Sequence, residues 1–173
     1  MGNMILISGG NGSGKSAFAE KLVGGIDAPR CYIATMVPHT EENHRRIEKH
    51  RCQRAGLGFT TQELPVLVSK AEDTAESVVL LEDAANLMAN AMFECGWSAE
   101  RTVEEIMALK QRCRVLVVVT ISGLPSEEYE GETKDYITAL QRVNDALFAA
   151  SCAAARLQDG AVIWEKGGAK DVC

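Results

Sequence analysis

Long apolar runs are missing from this 173-residue chain, and none approaches the roughly 20 residues a membrane-spanning helix needs. An apolar leader is missing too. The first strand-like stretch is short and runs directly into glycines, so no secretory signal is read and a cytoplasmic protein is expected. Paired cysteines are absent: Cys31, Cys52, Cys95, Cys113, Cys152 and Cys173 are scattered, with no C-x-x-C spacing and no neighbouring histidine cluster. That pattern supports neither a disulfide frame nor a zinc site, and free thiols are expected. Nor is there an excess of positive charge. A formal net charge of -6 argues against a broad nucleic-acid or membrane-binding surface, although a local basic site stays open. No internal repeat, low-complexity tract or dividing linker interrupts the chain.

What remains is ordinary globular material, 46% hydrophobic and 24% charged, long enough for one domain over residues 1–173. Met4-Ile5-Leu6-Ile7 reads as a buried strand stopped by Ser8-Gly9-Gly10. Phe18, Ala19, Leu22 and Val23 then fall at helical spacing, and Gly24-Gly25 ends that helix. Cys31 to Thr35 predicts a second strand, and Thr40 caps a polar, basic helix running to about Arg54, with Glu42 early in it. Val78–Leu81 is a fully apolar strand ending on Glu82-Asp83, and the longer apolar run Val115–Ile121 implies a strand buried on both faces. Helical patterns lie near Asn86–Phe93, over Ala99–Arg112 and from Thr133 to Leu157, and Ala161–Trp164 predicts a last strand. Alternating strands and helices imply an α/β three-layer sandwich of P-loop NTPase type, with a mostly parallel central sheet between helices. The Gly, Pro, Ser and Glu-rich stretch Ser122–Glu132 is expected as a surface loop, either covering a ligand or simply solvated.

The segment Gly9-Gly10-Asn11-Gly12-Ser13-Gly14-Lys15-Ser16 fills every fixed position of the phosphate-binding loop pattern, between a strand and an amphipathic helix. Glycines let successive backbone N–H groups turn towards phosphate oxygens, and the helix N-terminus adds its positive end. Lys15 is expected to reach the β- and γ-phosphates of ATP or GTP, and the Ser16 hydroxyl to ligate Mg²⁺. A second acid at a neighbouring strand end completes such a metal shell. Glu82 is the first candidate and Asp83 the second; a strand end turning carboxylates to water is the bland alternative.

Arg46, His50 and Arg54 are spaced i, i+4 and i+8 and share one helix face. A cationic stripe in an acidic protein suits a polyphosphate. A histidine within it, held neutral by its neighbours, is a competent nucleophile towards phosphorus. Spacing alone equally describes an exposed basic helix with an idle histidine.

In order, these pieces resemble the adenosylcobinamide kinase / adenosylcobinamide-phosphate guanylyltransferase family of cobalamin assembly. The likeness starts at Ile5-Leu6-Ile7-Ser8-Gly9-Gly10 and Ser13-Gly14-Lys15-Ser16-Ala17-Phe18-Ala19-Glu20. It continues through Tyr32-Ile33-Ala34-Thr35, Arg46-Ile47-x-x-His50-Arg51-x-x-Arg54, Leu80-Leu81-Glu82, Asn90 and Arg142-Val143-Asn144. The resemblance implies a bifunctional transferase. One activity phosphorylates the aminopropanol hydroxyl of adenosylcobinamide; the other moves GMP from GTP onto that phosphate through a histidine–GMP intermediate. It implies that His50 is the nucleophile and that Arg46, Arg51 and Arg54 handle the triphosphate. His39 and His44 match no family position. A homo-oligomer, a trimer by analogy, is expected.

The chain departs from the family in its second half. Thr120-Ile121-Ser122-Gly123 stands where the family carries Asn-Glu-Val-Gly; Ala55 replaces a proline and Phe59 a tryptophan one residue away. Asp145 follows Asn144 in place of glutamine, and Trp164-Glu165-Lys166 occupies the closing strand. Two other readings therefore stand beside the first: a P-loop kinase for another small hydroxylated metabolite, and a nucleotide-binding regulatory or scaffold protein without catalysis.

Overall fold

A computed structural model describes residues 2–171. Strand β1 (Asn3–Gly9) runs through the interior of a seven-stranded sheet, and the phosphate loop leads from it into helix α1 (Lys15–Gly24). Then follow β2 (Arg30–Ala34), α2 (Glu41–Arg54), β3 (Phe59–Glu63), β4 (Val78–Glu82), α3 (Ala84–Cys95), α4 (Ala99–Lys110), β5 (Val115–Ile121), α5 (Gly131–Ala150), β6 (Ala153–Gln158) and β7 (Ala161–Lys166). The sheet order is β3-β2-β4-β5-β1-β6-β7; every neighbouring pair is parallel except β6 with β7.

Alternation along the inner strands divides the core between two faces. Met4, Leu6, Ile33, Leu81 and Val118 pack under α3, α4 and α5 through Leu87, Met88, Ile106, Leu109, Leu140 and Leu147. Ile5, Ile7, Leu80, Val117 and Val119 pack under α1 through Ala19 and Val23. The expected three layers are present. Helix α2 belongs to neither core: Arg54 is its only buried residue, and its N-terminus is capped by Thr40, whose Oγ1 accepts from the Asn43 N–H at 3.1 Å.

Two elements differ from the sequence expectation. The helix expected over Thr133–Leu157 ends at Ala150, and its last residues form β6 beside β1. Cys152-Ala153-Ala154-Ala155 is rich in the strongest helix former. Those alanines are nonetheless at most 2% exposed in the sheet interior, where small side chains let the layers close over β1 and tertiary packing overrides propensity. Strand β3 carries no apolar alternation because it is an edge strand, recruited by backbone pairing with β2. Of the loop expected over Ser122–Glu132, a single 3-10 turn at Ser126–Glu128 and the first residues of α5 are regular.

Cys31, Cys52, Cys95, Cys113 and Cys152 are free thiols, as expected; Cys173 lies outside the described residues. Among the described residues no helix is long and apolar enough to cross a membrane.

Candidate functional site

Each strand end along one rim of the sheet delivers a site residue. At the end of β1, Gly9 approaches its surroundings so closely that a Cβ would lie 2.5 Å from Ser13 Oγ and 2.9 Å from the Leu157 carbonyl. Gly14 sits in the left-handed region at φ 84° as the N-cap of α1, and no side chain caps that helix. The first N–H groups of α1 thus face open space as a ready anion site. Lys15 Nζ donates back to the Gly10 carbonyl at 3.1 Å. Burial lowers the Lys15 pKa and Arg46 adds to this, while the charges of Asp83 and Glu82 oppose it. A cation held in that balance gains strongly from a phosphate placed beside it.

Ser16 and Glu82, expected as metal ligands, meet across the α1–β4 gap: Ser16 Oγ donates to Glu82 Oε1 at 2.5 Å. The other carboxylate oxygen, Oε2, is buried without a hydrogen-bond partner. Burial and the neighbouring Asp83 push the Glu82 pKa up, against the Ser16 hydrogen bond. A hydroxyl touching a carboxylate whose second oxygen is unsatisfied fits a Mg²⁺ site, which uses one or two protein oxygens and completes its shell with phosphate and water. No group of three or more acidic, histidine or cysteine ligands occurs among the described residues, so an all-protein cage is not what the donors offer. Asp83 has another task. Its carboxylate caps α3, accepting from the Asn86 N–H at 2.6 Å. The β4 end is pinned by the fully buried Thr35, whose Oγ1 accepts from the Asp83 N–H and lies 2.9 Å from the Glu82 carbonyl; Asn90 Nδ2 donates to the Thr35 carbonyl.

Across from the loop, α2 presents its basic face. Lys15, Ser16, Arg46 and His50 line two adjoining cavities of about 180 and 60 Å³. Asn11, Gly12 and Gly14 border the first, and Glu82, Asp83 and Arg54 the second. The expected i, i+4, i+8 face is thus turned inward. His50 is half-buried with Nδ1 unpartnered; burial lowers its pKa first, followed by Arg46, Arg54, Lys49 and Lys15. A neutral imidazole beside four cations, facing a phosphate cradle, is equipped for attack on phosphorus. Arg51 does not join this face. It stands on the next side of α2, paired with Glu63 at 3.3 Å. His39 and His44 are exposed and border neither of the two cavities.

Sequence reasoning missed three participants. Lys49 and Gln53 line the outer cavity. Glu20, 3% exposed, lies on the buried face of α1, and Arg54 is the charge that acts on it. Its signal was an acid placed among the apolar positions Ala19 and Val23. Arg54 in turn sits over the Tyr32 ring, its Cζ 3.8 Å from the ring centroid, and its Nη2 donates to Thr61 Oγ1 at 3.4 Å.

Comparison with known proteins gives a consistent pattern. A family profile described as cobinamide kinase / cobinamide phosphate guanyltransferase matches residues 5–161. The bifunctional adenosylcobalamin biosynthesis protein CobU of Salmonella typhimurium is 30% identical, covering 86% of this chain and 91% of that protein. Its counterpart from Escherichia coli is 30% identical with the same coverage. Among solved structures, an ATPase of the type III secretion system of pathogenic bacteria superposes with a TM-score of 0.61 at 12% identity, over 92% of this chain and 53% of its own. A DnaB-like replicative helicase gives 0.51 at 11% identity, over 91% and 48%. The chain spans about half of either molecule, and at such identities the likeness concerns the fold alone.

Proposed function

We infer the activity from one premise: the chain belongs to the cobinamide kinase / cobinamide phosphate guanyltransferase family. On that premise it is a bifunctional transferase, phosphorylating adenosylcobinamide from ATP or GTP and then moving GMP from GTP onto the new phosphate. The observation that carries the assignment of residues is that the P-loop and His50 line the same cavity.

In the kinase step the acceptor hydroxyl oxygen attacks the γ-phosphorus and gives its proton up to solvent, the bond to the β–γ bridging oxygen breaks, and the nucleoside diphosphate leaves. Lys15 and the loop amides face the oxygens on which charge grows. Ser16 and Glu82 are the residues that would hold Mg²⁺, which when bound would offset the negative charge growing on the phosphate oxygens. In the transfer step neutral His50 attacks the α-phosphorus of GTP and pyrophosphate leaves. An oxygen of the acceptor's phosphate then attacks that phosphorus and the imidazole departs. Arg46 and Arg54 flank His50 and orient the triphosphate. The homo-oligomer is carried by the resemblance alone and is read by sedimentation equilibrium.

The test is one incubation of the protein with adenosylcobinamide and GTP labelled at the α- or the γ-phosphate. Label from γ in the corrinoid reports the kinase; label from α on protein, absent in His50→Ala, reports the transferase. Persistence of α-label in His50→Ala removes His50 from the mechanism. A second reading, binding without catalysis, draws on Ile121, which lines the cavity where the resembled family carries an acid. Nucleotide binding with neither label transferred supports it.

A further inference from the structure

Thr35 is completely buried at the first position beyond β2, whose register with β4 ends at Ala34 opposite Glu82. Valine has the same shape without the cost of burying a hydroxyl, so a threonine in such a place is informative through its bonds. Its backbone N–H and its hydroxyl converge on the link between Glu82 and Asp83. The N–H donates to the Glu82 carbonyl at 3.1 Å. Oγ1 accepts from the Asp83 N–H at 2.9 Å and stands 2.9 and 3.1 Å from the Glu82 and Asp83 carbonyls, which compete for its single proton.

This grip is closed through α3. The Asp83 carboxylate caps that helix on the Asn86 N–H, and about two turns further along it Asn90 reaches back. Asn90 Nδ2 donates to the Thr35 carbonyl at 2.8 Å and to the Pro65 carbonyl at 2.9 Å, so both amide hydrogens are used. Bonds therefore run in a ring from Thr35 to Glu82 and Asp83, along α3, and back to Thr35. From that ring the Glu82 side chain reaches Ser16, with Oε1 accepting the hydroxyl at 2.5 Å and Oε2 unpartnered. Mg²⁺ demands oxygens near ideal octahedral positions about 2.1 Å away, so the placing of a carboxylate is part of its affinity. Residues behind a metal ligand supply that placing.

We propose that Thr35 is a positioning residue for the Mg²⁺ site: its hydroxyl, tied down by Asn90, fixes the end of β4 so that the Glu82 carboxylate stays against Ser16. Thr35 thereby sets how much Mg²⁺ strengthens nucleotide binding. The proposal rests on the reading of Ser16 and Glu82 as Mg²⁺ ligands given above.

The test is calorimetric titration of the full chain, without acceptor, with GTP carrying a methylene α–β bridge, which blocks loss of pyrophosphate. Each titration is run in excess Mg²⁺ and again in excess EDTA. Thr35→Val is expected to weaken binding about tenfold in Mg²⁺ and to leave the EDTA value nearly unchanged. Thr35→Ser, which keeps the hydroxyl, is expected to behave as the parent. A Thr35→Val protein with the parent's Mg²⁺ gain overturns the proposal. So does a loss equal in Mg²⁺ and EDTA, which is a general structural effect, or a loss that Thr35→Ser shares. If Thr35→Val does not fold, Asn90→Ala decides: a loss confined to Mg²⁺ sustains the proposal, and an unchanged Mg²⁺ gain overturns it. A parent chain that binds equally in Mg²⁺ and EDTA overturns the Mg²⁺ reading and this proposal together. Thr35-dependent Mg²⁺ gain in a protein that transfers neither α- nor γ-label sustains it while the transferase reading fails.

Discussion

Glu20 is a carboxylate on the buried face of the P-loop helix, with Oε1 lacking a hydrogen-bond partner. Burial pushes its pKa from 4.5 up to about 7, with Arg54 pulling the other way. Between those values the folded chain keeps a proton that the unfolded chain has released. Stability therefore falls as pH rises from about 4.5 to about 7 and stays low above it. Glu20→Gln is expected to gain roughly 1–2 kcal/mol relative to the parent at pH 8, a figure discounted for solvent screening, and little at pH 4. Thermal melts at both pH values check this; an equal shift at each would mean that ionisation of Glu20 costs nothing. Glu20, Tyr32 and Arg54 were not legible as a cluster because they meet only in space, from α1, β2 and the end of α2. The P-loop was legible because its residues are contiguous and each has a stereochemical task. His50 was half-legible: spacing supplied the cationic stripe, and only the fold showed that the stripe faces Lys15 rather than solvent. Arg51 shows the limit of reading from a motif. One residue past His50 on a helix is a rotation of about 100°, enough to carry it from the phosphate cavity to the side of α2 that pairs with Glu63.

Among the elements, α2 holds His50, the proposed nucleophile, and buries a single residue, Arg54, against the rest. It buries no apolar seam; Arg54, laid over Tyr32, anchors its C-terminal end, and the Thr40 cap closes its N-terminus. Helices without a packed face depend on their caps. Thr40→Ala is expected to cost about 1 kcal/mol, and to cost it locally. Amide exchange across 41–50 accelerates by about fivefold while the strands of the core exchange unchanged. A matching loss of protection in β1 and β5 would show that α2 folds as one cooperative unit with the sheet. Element boundaries were most legible where burial was complete, as for β1, β4 and β5, because their unbroken apolar runs leave no other placement. They were least legible for β3, whose sequence is that of an exposed edge. In β6 three alanines satisfy a helix and a sheet equally well until the neighbours are known.

Across the whole molecule, the parallel strands β1, β2, β4 and β5 end on the same rim, so Gly9, Ala34, Glu82 and Ile121 converge although 112 positions separate the first from the last (121 − 9). This is where open α/β sheets take their ligands, and the alternation of strands and helices made it predictable from sequence. The pairing of β6 with β1, which closes the sheet beside the loop, was not. Because the phosphate site joins the loop, α1, β4 and α2, a bound nucleotide stabilises the fold by mass action. At a free Mg·GTP concentration of 100 times Kd the gain is about 2.7 kcal/mol, or roughly 5–10 °C in Tm for a chain of this size. Lys15 is 8% exposed, and its ammonium is hydrogen-bonded to the Gly10 carbonyl. On the mechanism proposed above, its replacement removes a phosphate contact and leaves the core packing intact. Lys15→Ala is therefore expected to keep a cooperative melt, to lose most of the nucleotide-induced Tm shift, and to abolish γ-phosphoryl transfer. A Lys15→Ala protein that retains the full shift in scanning calorimetry would place the triphosphate somewhere other than the Gly9–Ser16 loop, and the mechanism built on that loop would fall with it.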